Sequence, residues 1–120
     1  VMDPWYSLGS GDMLEVAHMA LHVGQMTSRE AMTWCFEAVT TNSARIMHLD
    51  GYGLAPGCNA DFVVLQAADP IEALRLKATR LFVVRRGRVI AEGAPRVSAL
   101  DLPGRPALVD PASYAPQAAG

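Results

Sequence analysis

The sequence predicts a mixed α/β chain, with helices in its first half and strands in its second. Three observations carry this. Up to about residue 50, apolar residues recur at helical spacing behind two capping-box patterns. Between residues 51 and 61, glycines and a Pro-Gly pair interrupt that pattern. From Asp61 onward, short apolar runs rich in β-branched residues alternate with turn signals.

Residues 1–10 read as a loop, because Pro4 biases Asp3 away from helix and Gly9 and Gly11 delay one. Asp12 is a candidate N-cap, with Glu15 placed to close a capping box. Met13, Leu14, Val16, Ala17, Ala20, Leu21 and Val23 cover most of the following helix, so burial on more than one side is expected, ending at Gly24. Thr27 and Glu30 form a second capping pattern ahead of Met32, Trp34, Cys35, Phe36 and Val39. Thr40-Thr41-Asn42 caps a third helix, with Gly51 and Gly53 as its left-handed stop. Three richly apolar helices need something large to pack against, and a domain of this length struggles to bury them alone.

Pro56-Gly57 suits a type II turn. Phe62 to Leu65 is a continuous apolar run, which predicts a strand buried on both faces. Asp69-Pro70 starts a short helix, with Pro70 in its first turn. Leu81 to Arg85, the turn Arg86-Gly87, and Arg88 to Ala91 read as a hairpin closed by Gly93. Val97 to Leu102 is a further strand candidate. Beyond Pro103 an extended, weakly ordered arm is expected.

Composition excludes several function classes. The chain has 120 residues, of which 51% are apolar and 18% charged, so it is globular in type. A net charge of −2 with no basic stripe argues against nucleic acid as a partner. No apolar run approaches the ~20 residues that span a bilayer, and no secretory signal pattern is seen. Cys35 and Cys58 lack zinc-type spacing, so a reduced, cytoplasmic pair is expected. The chain opens at Val1 without an initiator Met, as the boundary of a fragment would.

Few residues carry candidate chemistry. His18 and His22 sit four apart, which places two imidazoles on one helix face, as metal ligands need. Glu15 lies one turn earlier, but a third ligand is not nearby. Partly buried histidines bonded to neighbours or to the main chain are therefore expected. Trp5 stands in a loop of small residues, where it either caps a hydrophobic end or offers a flat wall to an aromatic ligand. Composition alone favours the cap. Tyr6, Arg45 and Asp61 read as structural. Arg45 is placed to bond helix-end carbonyls, and Asp61 to pin the start of the strand through main-chain hydrogen bonds.

The run from Thr40 through Asn42, Ala44, Arg45 and Leu49, then Gly53, Ala55, Gly57, Ala60 and Asp61 and the apolar strand, resembles the C-terminal signature of the amidohydrolase superfamily. Asp3-Pro4-Trp5-Tyr6, Leu8-Gly9, Met13-Leu14 and His18-Met19 with Leu21-His22 resemble its bacterial cytosine-deaminase branch. The likeness runs from residue 1 to about 93, and is densest at 1–24 and 40–65.

This resemblance implies that residues 1–52 are the last helices of a TIM-type (β/α)8 barrel, that 53–102 are strands of the accessory β-sandwich, and that 103–120 are a tail. It implies a hydrolase that deaminates cytosine with one divalent metal, Fe or Zn. The metal ligands, a His-x-His pair, further histidines and a strand-end aspartate, would lie upstream of Val1. Within this chain it implies no catalytic residue and no metal ligand. Asp3 is no substitute, Arg45 could meet a carboxylate of the missing barrel, and Trp5 becomes a candidate wall of the pyrimidine pocket. The implied partners are the missing barrel portion, a pyrimidine substrate and further copies in a homo-oligomer. Two rivals remain open: an amidohydrolase acting on other amino-substituted rings or cyclic amides, and a non-catalytic α+β dimerisation module.

Overall fold

The computed structural model describes residues 9–109. Four helices and five strands follow one another: α1 (Met13–Val23), α2 (Arg29–Ala38), α3 (Thr41–Ile46), β1 (Phe62–Leu65), α4 (Pro70–Leu76), β2 (Arg80–Arg85), β3 (Arg88–Glu92), β4 (Ser98–Ala99) and β5 (Leu108–Val109). The division into helices first and strands second therefore holds, with α4 inserted between the first two strands.

Helices α1, α2 and α4 each start where a side chain satisfies free N–H groups. The Asp12 carboxylate accepts from the main-chain N–H of Leu14 and Glu15, and the Asp69 carboxylate from that of Glu72. The second cap falls one residue later than the sequence suggests: Ser28 accepts from the Ala31 N–H, and Thr27 stays outside. At α3, Thr40 makes no side-chain cap; its hydroxyl turns back to the Phe36 carbonyl at 2.8 Å.

The end of α3 differs from expectation too. The residues that turn the chain past α1, α3 and α4 are Gln25, His48 and Lys77, which are all left-handed at φ of 50°, 51° and 48°. In each, an N–H one residue further on closes onto a carbonyl five residues back: Met26 to Leu21, Leu49 to Ala44, and Ala78 to Ala73. Gly24 caps α1 as read, in a right-handed conformation at φ −82°, whereas Gly51 is not the stop of α3. Helix α3 ends at Ile46, five residues before Gly51, because the closing bond to Ala44 needs the turn at His48.

Strands β1, β2 and β3 form an antiparallel sheet in chain order. Phe62 faces Val84 and Val64 faces Phe82 across the first pair; Val83 faces Ala91 across the second. Arg86 and Gly87 turn the hairpin with φ of 49° and 74°, both positive as a two-residue turn matched to strand twist requires. The tail departs from the expected extended arm. The chain turns back at residues 103–105, and β5 pairs with β4, Ser98 opposite Val109 and Ala99 opposite Leu108. Only two residues of the Val97–Leu102 candidate are strand.

One small core joins both halves. Leu14, Ala17 and Leu21 of α1, Cys35 of α2 and Leu74 of α4 are buried together, with Met26, Met32, Phe36, Val39 and Leu65 packed against them. Leu74 has no solvent exposure at all. Around this core much apolar surface stays open. Helix α1 buries one stripe only, and Met13, Val16, Met19 and Val23 are exposed, as are Trp34, Ile46 and Met47. Strand β1 also departs from the two-sided burial expected of it: Phe62, Val63 and Val64 keep 39%, 46% and 38% of their surface. Of β1, only Leu65 packs against the core cluster.

The core predicts an uneven mutational response. Leu74→Ala should cost about 3 kcal/mol by urea denaturation, since it empties a fully enclosed site. Ile46→Ala should stay within about 0.5 kcal/mol in this chain, because its side chain is already in water.

Candidate functional site

The residue singled out for a ligand, Trp5, lies outside the described residues, as do Asp3 and Tyr6. The described residues begin at Gly9, and those just before α1 are tied to it. Ser10 Oγ accepts from the Asp12 N–H at 3.3 Å and donates to the Glu15 carboxylate. The capping box is thus rearranged: Glu15 serves Ser10, and Asp12 alone serves the helix.

Asp12 has a second partner that the sequence did not announce. The Arg80 guanidinium, at the start of β2, donates from Nη1 to Oδ2 and from Nη2 to Oδ1, so both carboxylate oxygens are engaged. Paired planar groups of this kind are the stronger and more directional ion pairs. The hydrogen bonds from Arg80 hold the Asp12 carboxyl below its ordinary value, helped by the Leu14 N–H and opposed by partial burial. Asp12 holds the guanidinium correspondingly higher. The Ser10 hydroxyl likewise lowers the Glu15 carboxyl.

The two helix histidines turn inward to the main chain. His18 Nδ1 bonds with the Leu74 carbonyl at 3.0 Å, and His22 Nδ1 with the His18 carbonyl at 2.8 Å. The Leu74 contact ties α1 to α4. The rings stand 4.5 Å apart. Among the described residues, no group of three or more His, Cys, Asp or Glu side chains comes together as metal ligands would. These residues therefore do not fit a catalytic divalent metal.

Between α3 and β1 the chain is braced by Asn59. Its Nδ2 donates to the Asp50 carbonyl at 3.1 Å, and its N–H to the Gly51 carbonyl at 2.7 Å. A Cβ on Gly51 would meet Asn59 Nδ2 at 2.7 Å, and φ there is +70°, so both space and conformation call for glycine. The Pro56-Gly57 turn forms as read, with the Cys58 N–H reaching the Ala55 carbonyl at 3.0 Å. Asp61 also does as expected: its carboxylate accepts from the Arg86 N–H and fixes the hairpin turn beside the start of β1. Arg45 does not bond helix-end carbonyls; its Nη1 reaches Asn42 Oδ1 at 3.3 Å.

Three polar residues were missed by the sequence reading: Arg80, Asn59 and Gln66. Gln66 bonds both main-chain groups of Arg96, at 2.9 Å and 2.7 Å, and so ties the loop after β3 to the end of β1. Asn59 sits beside turn glycines, which is a usable signal. Arg80 and Gln66 act over 68 and 30 residues, and nothing local marks them.

Open grooves are present among the described residues. One of about 560 Å³ is lined by Leu21, His22, Met26, Met32 and Arg75 among others. The other, about 420 Å³, runs past Arg45, His48, Asp50 and Tyr52. Burial raises the Cys35 thiol, which donates to the Ala17 carbonyl and acts as a core residue.

Helices packed on an inserted strand–helix unit, with the signature from Thr40 to Asp61 braced at their junction, define the class. Residues 1–97 match the amidohydrolase family, and the chain belongs to it. It is similar to 5-methylcytosine deaminase from Klebsiella pneumoniae, solved with phosphonocytosine: 36% identity, a TM-score of 0.72, covering 83% of this chain and 25% of that one. It is also similar to N-isopropylammelide isopropylaminohydrolase from Burkholderia multivorans, at 36% identity and the same TM-score over 77% of this chain and 24% of that one. A curated relative, N-isopropylammelide isopropyl amidohydrolase of Pseudomonas sp. (strain ADP), is 29% identical over 93 residues, which is 77% of this chain and 23% of the relative. The chain thus spans about a quarter of the length of these proteins.

The lowered Asp12 carboxyl has a pH consequence. Its folded value lies below the ordinary 3.8, so its stabilisation is complete above that pH and is lost as pH falls through the folded value. Asp12→Asn should therefore be less stable than wild type at pH 6. The gap in urea midpoint should close as pH drops below 3.8.

Proposed function

We propose that this chain is the C-terminal part of an amidohydrolase that hydrolyses cytosine to uracil and ammonia. The observation that carries the reading is the likeness to 5-methylcytosine deaminase, at 36% identity over 83% of the chain. The Trp5 loop supports it from the sequence side, with Trp5 as a substrate-binding wall of the pyrimidine pocket. In this reading residues 1–52 are the last helices of the barrel, 53–102 belong to a composite sandwich, and 103–120 form a tail. The metal, Fe or Zn, is held by ligands upstream, and this chain alone does not catalyse. The enzyme is cytoplasmic and homo-oligomeric.

The exposed apolar surface supports the missing portion. Met13, Val16, Met19, Val23 and Ile46 on the helices, and Val63, Val89 and Ile90 on the sheet, lie in water in this chain. Large apolar residues left exposed in such number are what a surface covered by another body would show. A second reading has its own support: two relatives act on N-isopropylammelide, one of them at the same 36% identity. An enzyme acting on another amino-substituted ring fits residues 40–93 equally well.

Ammonia release decides between these. The longer enzyme should release ammonia from cytosine or 5-methylcytosine, and the isolated chain should release none. Release of isopropylamine from N-isopropylammelide in its place would establish the second reading, and turnover by the isolated chain would refute the upstream placement of the ligands. Trp5→Ala should raise KM for the pyrimidine by about tenfold, as loss of a stacked ring wall does. An unchanged KM would return Trp5 to a packing role.

A further inference from the structure

We propose that the tip of the β2–β3 hairpin docks on the outer face of α2 in a second copy of the chain. It gives the homo-oligomer proposed above a contact, and it is independent of the ring that the enzyme hydrolyses.

Charge is unevenly divided along the sequence. Residues 1–72 hold nine carboxylates and two arginines, whereas residues 73–120 hold eight basic side chains and three carboxylates. Such asymmetry suits contact between copies, because each copy offers both signs.

The basic stretch ends in a built tip. Arg85, Arg86 and Arg88 are all exposed. Arg85 stands directly opposite Arg88 across the β2–β3 pair. Like charges so placed repel and weaken a hairpin. Arg86 adds a third charge and is held at φ 49°, where asparagine, aspartate or glycine is the usual choice. Two hydrogen bonds from the lead into β1 keep the turn in this form. The Asp61 carboxylate accepts from the Arg86 N–H, and the Ala60 carbonyl accepts from the Gly87 N–H at 2.9 Å. Asp61 thus brings one carboxylate to the turn, against three guanidinium groups. Among the described residues, none of the three guanidinium groups makes an ion pair or a hydrogen bond. A braced turn that breaks two local rules at once is the mark of a functional surface.

The acidic stretch carries a matching face. Glu30, Trp34 and Glu37 are spaced four and three residues apart, so they share one side of α2. All three are exposed, Trp34 at 58%. Arg29 lies about 100° round the helix from Glu30. Neither glutamate side chain makes an ion pair or a hydrogen bond among the described residues. The two glutamates stand about 10 Å apart along the helix axis. Two arginines on strands about 5 Å apart span that distance by splaying. Guanidinium groups pair with carboxylates as planar forks and stack on an indole face. Two arginines of the tip take the two glutamates, and the third covers Trp34. A long polyanion fits less well, because three arginines make a spot and the chain as a whole carries −2.

Sedimentation velocity on the full chain tests the contact. One variant carries Arg85→Glu with Arg88→Glu, the other Glu30→Arg with Glu37→Arg. Each alone should self-associate at least about tenfold more weakly than the parent, because like charges then meet. An equimolar mixture of the two should pair within about threefold of the parent, since opposite charges face again. Recovery in the mixture also shows that neither variant is merely misfolded. Arg105→Glu, outside both patches, should associate as the parent does. Variants that associate unchanged, a mixture that does not pair, or an equal loss in Arg105→Glu would overturn this contact alone. A parent chain that stays monomeric would remove the homo-oligomer and the contact together. Displacement of the second copy by an oligothymidylate would assign the tip to a polyanion and overturn the proposal. So would reversal of Arg85 and Arg88 that weakens pairing with the upstream polypeptide and not self-association.

Discussion

Leu74 is the point on which the two halves of the chain meet. It sits on α4, between β1 and β2 in sequence, yet it is buried among Leu14, Ala17 and Leu21 of α1 and Cys35 of α2. Its own carbonyl accepts the His18 ring nitrogen. Side chain and main chain of one residue thus hold the inserted helix against the opening helix. The Asp12–Arg80 pair repeats the connection a short way off, from α1 to β2. With these contacts in place, the sheet and the first two helices form one body, and the signature between Thr40 and Asp61 spans the junction.

That body is under-covered. Its buried core is a handful of side chains, while large apolar residues on α1, α3 and the sheet remain in water. Burial is worth about 25 cal/mol per Å² of apolar surface, so covering these residues would add stability. The proposed amidohydrolase context supplies one, and the relatives, about four times as long, are consistent with it. In that proposed context the chain's contribution is a scaffold: a braced junction and an α1 tied at its start to Ser10 and Arg80.

What the sequence disclosed was mostly local. The caps at Asp12 and Asp69, the Pro56-Gly57 turn, the Arg86-Gly87 hairpin and the role of Asp61 are each set within a few residues, or by one near pairing. The stop of α3 was misread because a closing bond to a carbonyl five residues back can force His48 left-handed without glycine. The apolar run of β1 speaks of burial, and it could not say that Phe62, Val63 and Val64 stay partly exposed among the described residues. The Arg80 clamp was invisible because its partner is 68 residues away and no periodicity links them. The family resemblance, by contrast, was legible in fixed positions read in order, and the match over residues 1–97 agrees with it.

The central claim is that this chain is the covered quarter of a larger enzyme. Sedimentation velocity on the chain mixed with the polypeptide upstream of Val1 in the longer enzyme tests it most directly. The account predicts a new species with equal numbers of the two polypeptides, formed at the expense of self-associated chain. A chain that sediments as a stable monomer and ignores the upstream polypeptide would contradict it.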